Sequence, residues 1–380
     1  MKIFYWSPYL SNVATISNVI NSAYSLIKYK DSNFNVKIID AAGEWSSQKK
    51  TLLEKKIEYM KLNSIDYSTK FPITGFIRSR SFLVLIFIKN FFPLLNLLKS
   101  KKPEYLIVHL LTSLPLFLLL FFNFKTKFIL RISGLPKLNF FRRILWKLIN
   151  KKIYLVTCPT NETKDYIIKS EIFSSNKIVL LRDPIINVSE IIKKKKENNN
   201  DIDSEKNYFL SIGRLTKQKN HILLIKLFSI LKEKKKNIFL YILGDGEEKN
   251  NLLQEIKKLN LQDKIFLLGF KKNVYPYILS AKAIISTSLW EDPGAVMIES
   301  AFCNKIIISS DCVSGPKEFL MNNHAGYLFK NNNLDSLYQA CEKFFQDSNQ
   351  EITKKKKLAK INSKKYSIYD HYMQLKKILI

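Results

Sequence analysis

Short, almost continuous apolar runs alternate with longer stretches in which apolar residues recur every third or fourth position. In the first half, Lys2 to Tyr5, Val36 to Asp40, Tyr105 to Val108, Lys127 to Arg131 and Ile153 to Thr157 read as strands. Helical spacing fills the intervals, as in Ala14 to Leu26 and Phe140 to Ile149. The second half repeats the scheme, with strands at Tyr208 to Ile212, Phe239 to Leu243, Ile265 to Leu268, Ala283 to Ser286 and Ile306 to Ser309. Helical patterns such as Ile222 to Leu231 and Glu248 to Leu259 lie between them. Strands that alternate with helices pair in parallel as βαβ units. The prediction is an α/β protein of two doubly wound, Rossmann-like domains facing a central cleft, with ligands beyond the carboxyl ends of the strands.

Polar interruptions set the expected boundaries. The run from Lys193 to Lys206 has four lysines, a glutamate, three asparagines and mixed charge, too little apolar surface to fold against anything. This divides the chain into an N-terminal domain over 1–190, a linker over 191–206 and a C-terminal domain over 207–357. The last stretch, 358–380, is a helical pattern anchored by Tyr366, Ile368, Tyr369, Tyr372, Leu375 and Ile378, expected to pack across the cleft. One apolar segment, Tyr105 to Phe122, has the length of a membrane span. Its interruptions at His109, Thr112, Ser113 and Pro115 favour a buried strand followed by a buried helix.

Charge narrows the partners. The 62 Lys and Arg against 32 Asp and Glu give a net charge of +30. That excess favours anions: nucleotides, nucleic acid or an anionic membrane surface. Much of it is Lys in company with Asn and Ile, a general compositional bias that weakens the clue. The four cysteines form no C-x-x-C pair and have no metal-ligand spacing with the four histidines, which argues against a disulfide framework and a structural zinc. A cytoplasmic location is expected, and Met1 to Trp6 reads as a strand rather than a signal peptide.

Candidate chemistry concentrates in the second half. In Ser288-Leu-Trp-Glu291-Asp-Pro-Gly294-Ala295-Val296-Met-Ile-Glu299, a strand ends just before a helix that starts near Pro293 and is apolar almost all round. Glu299 is the exception, and its side chain leans toward the helix N-terminus, where free amides can hold an anion. Glu291 lies in the loop at that same end. Two carboxylates beside a phosphate-ready helix start suit a ligand with hydroxyls on both sides of a phosphate, a nucleotide sugar. In Gly213-Arg214-Leu-Thr-Lys217-Gln-Lys219, glycine permits a tight turn and two cations, Arg214 and Lys219, form a candidate diphosphate site without a metal; Lys217 reads as solvated. Gly244-Asp245-Gly246 reads as a strand-to-helix turn, and Gly269-Phe270-Lys271 closes the next strand, where Phe270 or the backbone would meet a base.

Together these segments carry a family resemblance. The chain resembles the GT-B glycosyltransferases of family 4, retaining and nucleotide-sugar-dependent, of the bacterial surface-polysaccharide type. The resemblance is strongest over Tyr208 to Leu320. It rests on Glu291-x7-Glu299, the Gly213-Arg214 to Lys219 turn, Gly244-Asp245-Gly246 and Ser314-Gly315-Pro316-Lys317-Glu318. It implies that Arg214 and Lys219 contact the donor diphosphate, that Glu291 faces the sugar hydroxyls and Glu299 the ribose, and that the Gly294, Ala295 and Val296 backbone meets sugar or phosphate. It also implies front-face displacement without a cofactor or metal ion. The first half departs from the family, because Ser7 to Thr15 contains no glycine; it resembles a subset opening Ser-Pro-x-x-Ser-Asn-Val. His109 stands where relatives place a histidine beside the reacting sugar, and Arg131-Ile-Ser-Gly134 ends the next strand.

The expected activity is sugar transfer to a lipid-linked glycan or similar acceptor for O-antigen, capsule or lipopolysaccharide. A nucleotide-sugar epimerase of the same fold would use the same donor site and is separated by product analysis with and without acceptor. A charge-driven nucleic-acid-binding protein would need a recognisable module, and none is seen. Basic and aromatic residues over Phe76 to Phe82, Asn90 to Leu98 and Phe140 to Lys147 imply peripheral docking on the inner face of an anionic membrane.

Overall fold

Every strand pairing in the computed structural model is parallel, as the alternation of strand and helix requires. Residues 1–9, 14–29, 34–64, 66–67, 76–197, 207–234 and 237–380 are described. The chain forms two units, Met1–Pro184 with Ile368–Ile380, and Ile185–Ser367.

In the first unit, β1 (Lys2–Trp6), β2 (Asn35–Asp40), β3 (Glu58–Lys61), β4 (Tyr105–Val108), β5 (Lys127–Arg131), β6 (Ile153–Cys158) and β7 (Ile178–Leu180) lie in the order β3-β2-β1-β4-β5-β6-β7. The helices are α1 (Ala14–Lys28), α2 (Lys49–Glu54), α3 (Phe76–Lys101), α4 (Ser113–Phe121), α5 (Phe140–Ile149) and α6 (Asn161–Lys169). Successive side chains on a strand point to opposite faces, so β1 feeds two cores. Phe4 and Trp6 join Leu106 and Val108 under α3, α4 and α5, whereas Ile3 and Tyr5 join Tyr105 and Ile107 under α1.

The second unit is built the same way. Its strands are β8 (Tyr208–Ile212), β9 (Phe239–Leu243), β10 (Ile265–Leu267), β11 (Ala283–Ser286), β12 (Ile307–Ser310) and β13 (Tyr327–Phe329), in the order β10-β9-β8-β11-β12-β13. Its helices are α7 (Val188–Lys195), α8 (His221–Lys234), α9 (Lys249–Lys258), α10 (Tyr275–Ser280), α11 (Ala295–Phe302), α12 (Pro316–Phe319), α13 (Leu334–Gln346) and α14 (Asn349–Lys364). Phe209, Leu240 and Ile285 pack under α8, α9 and α13; Tyr208, Tyr241 and Ile284 pack under α10, α11 and α14.

Several expectations are corrected. The first boundary falls at Pro184–Ile185, not at residue 190, because Val188–Lys195 is a helix whose Ile191 is buried among the second unit's residues. The polar run therefore begins as α7, and 198–206 lie outside the described residues. The stretch 358–380 is not one helix: Lys365 to Ser367 separate α14, which packs on α11, from α15 (Ile368–Leu379), which packs on α1 in the first unit. Tyr105 to Phe122, by contrast, is a core strand followed by a mostly buried helix, as expected. The strands absent from the sequence reading, β3, β7 and β13, are all sheet edges of three or four residues. At an edge, little burial is needed and the apolar run is short.

α15 is fastened by a buried polar chain. The His371 Nδ1–H donates to the Arg182 carbonyl at 2.6 Å, which leaves Nε2 to accept from the Ser22 hydroxyl at 2.8 Å; Ser22 also bonds Tyr5 at 3.0 Å. Burial, and then the Arg131 charge, push the imidazole pKa down to about 3, against the bond to Arg182. The unfolded chain, with histidine near 6.5, takes up a proton that the native state refuses. Stability from this group is complete above pH 6.5 and is lost as pH falls toward 3. We expect urea stability of the first unit to fall between pH 6.5 and 5, with His371 contributing about 1.4 kcal/mol per pH unit. His371→Asn should flatten that slope by one proton's worth; an unchanged slope would contradict the assignment.

Candidate active site

β8 is followed in sequence by β9 and then β10 on one side, and β11 then returns to the other side of β8. Strand order thus reverses between β8 and β11, and a crevice opens there beyond their carboxyl ends, the usual ligand position in such sheets. The two loops at this crevice are those that carry Lys219 and Glu291.

The loop after β8 is set by backbone contact with the loop after β9. The Gly213 amide donates to the Leu243 carbonyl at 2.9 Å, the Leu215 amide to the Asp245 carbonyl at 2.9 Å, and the Glu248 amide returns to the Leu215 carbonyl at 2.9 Å. This lacing leaves no room for side chains. A Cβ on Gly244, whose φ is +145°, would lie 1.8 Å from the Gly213 carbonyl oxygen, and one on Gly246 would lie 2.4 Å from that of Leu215. Gly-x-Gly here is therefore a packing requirement between two turns. Asp245 turns its carboxylate to its own end of the loop, where Oδ1 accepts from the Gly246 amide at 2.9 Å.

Lys219 ends a short 3-10 turn, Lys217–Lys219, and its stem folds back over Gly213, whose Cβ would be 3.1 Å from Lys219 Cε. From there the ammonium forms an ion pair with Glu291 Oε1. That oxygen also accepts from the Ser288 hydroxyl at 2.6 Å. No described residue meets Oε2, so its lone pairs remain for a ligand hydroxyl. The Glu291 loop is pinned on both sides. The Leu289 amide donates to the Gln218 carbonyl at 2.8 Å, and Gln218 Nε2 donates to the Trp290 carbonyl at 2.9 Å. Thr287 donates to the carbonyls of Lys219 and Asn220, and Asn331 to that of Leu289, each at 3.0 Å.

Gly294 then caps α11 at φ +91°, with no side-chain cap bond. The first amides of a helix have no intrahelical acceptor, so those of Ala295 and Val296 face the same end as Glu291. One side of α11 is buried through Met297, Ile298 and Ala301, and Glu299 lies at the margin of that burial. It accepts from the Tyr275 hydroxyl at 2.9 Å. Desolvation raises the Glu299 carboxyl above the usual range, against the Tyr275 bond and the Lys194 charge. Arg214 is exposed and its guanidinium has no ion-pair partner among the described residues. Phe270 follows Gly269, whose φ is +71°, and its ring is 78% exposed.

The first unit has its own reversal, between β1 and β4. His109 sits there, its amide donating to the Trp6 carbonyl at 2.8 Å. The ring is buried, and Nε2 has no partner among the described residues. Burial, then the Arg131 charge, hold the imidazole neutral with a pKa near 3. It can give or take one hydrogen bond but carries no proton to donate as an acid near pH 7. Arg131 is not available to a ligand: it is ion-paired with Asp183, bonded to the Leu181 carbonyl and buried. Leu10 to Val13, in the opening segment, lie outside the described residues.

The structure thus brings Gly213, Lys219, Glu291 and Gly294 together in the second unit, with Arg214 on the same turn as Lys219 and Glu299 further along α11. Ser288, Gln218 and Tyr275 have no assigned role in the sequence reading. Ser288 and Gln218 sit within the motifs already singled out, and their polarity was the available signal. Tyr275 had none, since a single tyrosine from another helix has no local pattern. Among the described residues no group of three or more His, Cys, Asp or Glu is placed to hold a metal.

Comparison with known proteins places the chain among glycosyltransferases. The model for glycosyl transferases group 1 matches residues 192–365. An uncharacterized glycosyltransferase of Methanocaldococcus jannaschii is 31% identical over 330 residues, covering 80% of this chain and 76% of that one. The N-acetylgalactosamine-N,N'-diacetylbacillosaminyl-diphospho-undecaprenol 4-alpha-N-acetylgalactosaminyltransferase of Campylobacter jejuni is 30% identical over 239 residues, 60% of this chain and 62% of that one. A protein of Anabaena solved in complex with UDP superposes with a TM-score of 0.75 at 15% identity, over 99% of both chains. The fold is GT-B, two doubly wound α/β units, as expected.

The lacing of the two turns predicts the cost of a methyl group. Gly244→Ala meets both a carbonyl at 1.8 Å and a φ of +145°. We expect a loss of at least about 2 kcal/mol, the scale of backbone strain at such positions. Urea unfolding of Gly244→Ala beside Asp245→Ala, which retains the backbone, measures it; equal stability of the two would contradict the packing role.

Proposed function

The chain belongs to the group 1 glycosyl transferases, and from that premise we propose that it moves a sugar from a nucleotide-sugar donor to a lipid-linked glycan or similar acceptor, with retention, in the synthesis of a surface polysaccharide. The observation that carries the reading is the convergence of Lys219, Glu291 and the start of α11 at the second unit's strand reversal, with Arg214 beside them and without an ion-pair partner among the described residues. Such a site offers two cations and helix amides to a diphosphate, and carboxylates to hydroxyls on either side of it. The UDP in the Anabaena structure supports a uridine donor as the first to try. The undecaprenol-linked substrate in the Campylobacter enzyme's name supports a lipid-linked acceptor, which would be met at the inner face of the cytoplasmic membrane.

In the step we propose, the acceptor hydroxyl oxygen bonds to the anomeric carbon on the face from which the diphosphate departs. The bond from that carbon to the phosphate oxygen breaks, and its electron pair leaves with the diphosphate. The hydroxyl proton passes to that oxygen. Arg214, Lys219 and the amides of Gly294, Ala295 and Val296 stabilise the charge that develops, so the proposal needs no metal. Glu291 Oε2 takes the sugar hydroxyls, Glu299 those of the ribose, and Phe270 stacks on the base. Gly213, Gly244 and Asp245 shape the donor turn. His109, neutral, holds a sugar or acceptor hydroxyl and does not act as an acid.

Incubation with UDP-sugars and a polyprenyl-diphosphate glycan, with the product's anomeric configuration read by NMR, tests this reading. Transfer with retention is expected; release of free sugar or of an epimer in its place would contradict it. Activity should survive a chelator, and loss restored by Mg²⁺ or Mn²⁺ would overturn the metal-free step. Arg214→Ala should cost about 1.5–3 kcal/mol of UDP binding, the range for hydrogen bonds to charged groups. Glu299→Ala should weaken UDP binding, while Glu291→Ala mainly lowers turnover. Unchanged UDP affinity in Glu299→Ala would remove the ribose assignment.

A further inference from the structure

α3, α4 and α5 lie side by side on one face of the first sheet, and their outward surfaces are apolar where surface helices are ordinarily polar. On α3 the inward row Phe82, Ile86, Leu94 is buried, while the opposite row Val84, Ile88, Phe92 is exposed at successive turns, Phe92 to 68%. α4 adjoins it through rings: Phe117 lies 5.4 Å from Phe87 and 6.3 Å from Phe91, and 4.7 Å from Phe121, itself exposed. α5 packs on α4 and presents Phe140, Ile144 and Leu148 at successive turns, with Phe141 80% exposed. Isolated exposed apolar residues need no explanation, but rows of them on adjoining helices do.

The charge around this face says what covers it. From residue 67 to 161 the chain has 16 Lys and Arg and one acid, Glu104, whereas the rest has 46 and 31. Compositional bias would have spread the acids as well. Lys89 is exposed beside Ile88, and Arg143 and Lys147 stand exposed among Ile144 and Leu148. Glu104 is turned away, accepting from the Lys2 amide at the amino end of the sheet.

We propose that the outward face of α3, α4 and α5 docks on an anionic lipid bilayer, its apolar rows entering the interface and its cations lying among the headgroups. A second copy of the chain fits poorly, because the two faces would bring like charges together with almost no acid between them. α3 is long and apolar enough by composition to cross a membrane. Spanning would pull Asn90 from Asn63, whose side-chain amide donates to it at 2.9 Å, and strip Phe82, Ile86 and Leu94 from the core. The inference deepens the membrane-located acceptor of the proposed function, and its test reads binding without catalysis, so either can fail alone.

Flotation of the purified chain with phosphatidylcholine vesicles, with and without 30% phosphatidylglycerol, tests it. Binding is expected only with the anionic lipid, weakened by high salt and released by carbonate. Ile88→Ser with Phe92→Ser, and separately Ile144→Ser with Leu148→Ser, should each lower partitioning at least tenfold with circular dichroism and UDP binding unchanged. Arg143→Glu with Lys147→Glu should do the same at low salt. Equal binding to neutral vesicles, unchanged binding in all the folded variants, or no binding at low salt overturns the proposal. Carbonate-resistant binding overturns it in favour of a spanning helix. A dimer in light scattering that the Ser variants abolish, without vesicle binding, overturns it in favour of a second copy.

Discussion

Gly244 approaches the Gly213 carbonyl so closely that the two strand-end turns of the second unit behave as one body. The consequence runs outward through bonded neighbours. With the Gly213 turn fixed, the Lys219 stem has one path, over a residue without a side chain, and its ammonium arrives at Glu291. Gln218, on the same turn, bonds the backbone on either side of Trp290, so the Glu291 loop is held by the turn it faces. α11 begins where that loop ends. A site that must hold charged groups within fractions of an ångström needs such support from packed elements, and here it comes from two glycines and a set of backbone bonds.

The two units share a topology and use it differently. Each has a strand reversal with polar groups beyond it, as open parallel sheets provide. At the first reversal the groups are buried: His109 is neutral, and Arg131 is spent on Asp183. At the second they are charged and partly open to solvent, with Arg214 and Glu291 Oε2 free of partners among the described residues. The first arrangement suits an uncharged hydroxyl and the second a diphosphate. Charge on the first unit is found instead on its outer helices, where Lys89, Arg143 and Lys147 accompany exposed apolar rows.

Much of this was legible in the chain because its signals are local. Parallel strands buried on both faces are dense apolar runs, so β4, β5, β8, β9 and β11 are found with their sequence-predicted bounds. Glu291 and Glu299 stood out because acids are conspicuous around a helix as apolar as α11. What escaped was set by partners distant in sequence. Tyr275 reaches Glu299 from 24 residues away and Asp183 meets Arg131 across 52, and neither pairing has a local pattern. The glycines of Gly244-Asp245-Gly246 were noticed for a turn, yet their reason is another turn 31 residues earlier. The division between α14 and α15 escaped because apolar spacing continues through Tyr366 and Ile368, which are buried in different units.

In the proposed step Glu291 reads the sugar while Lys219 is shared between that carboxylate and the diphosphate. Calorimetric titration of UDP and of the transferred UDP-sugar into the wild type and Glu291→Ala tests this most directly. Removal of Glu291 should erase the affinity difference between the two ligands and leave UDP binding as tight as before or tighter, since Lys219 is released to the phosphates. Weaker UDP binding in Glu291→Ala, with the sugar's increment intact, would contradict it.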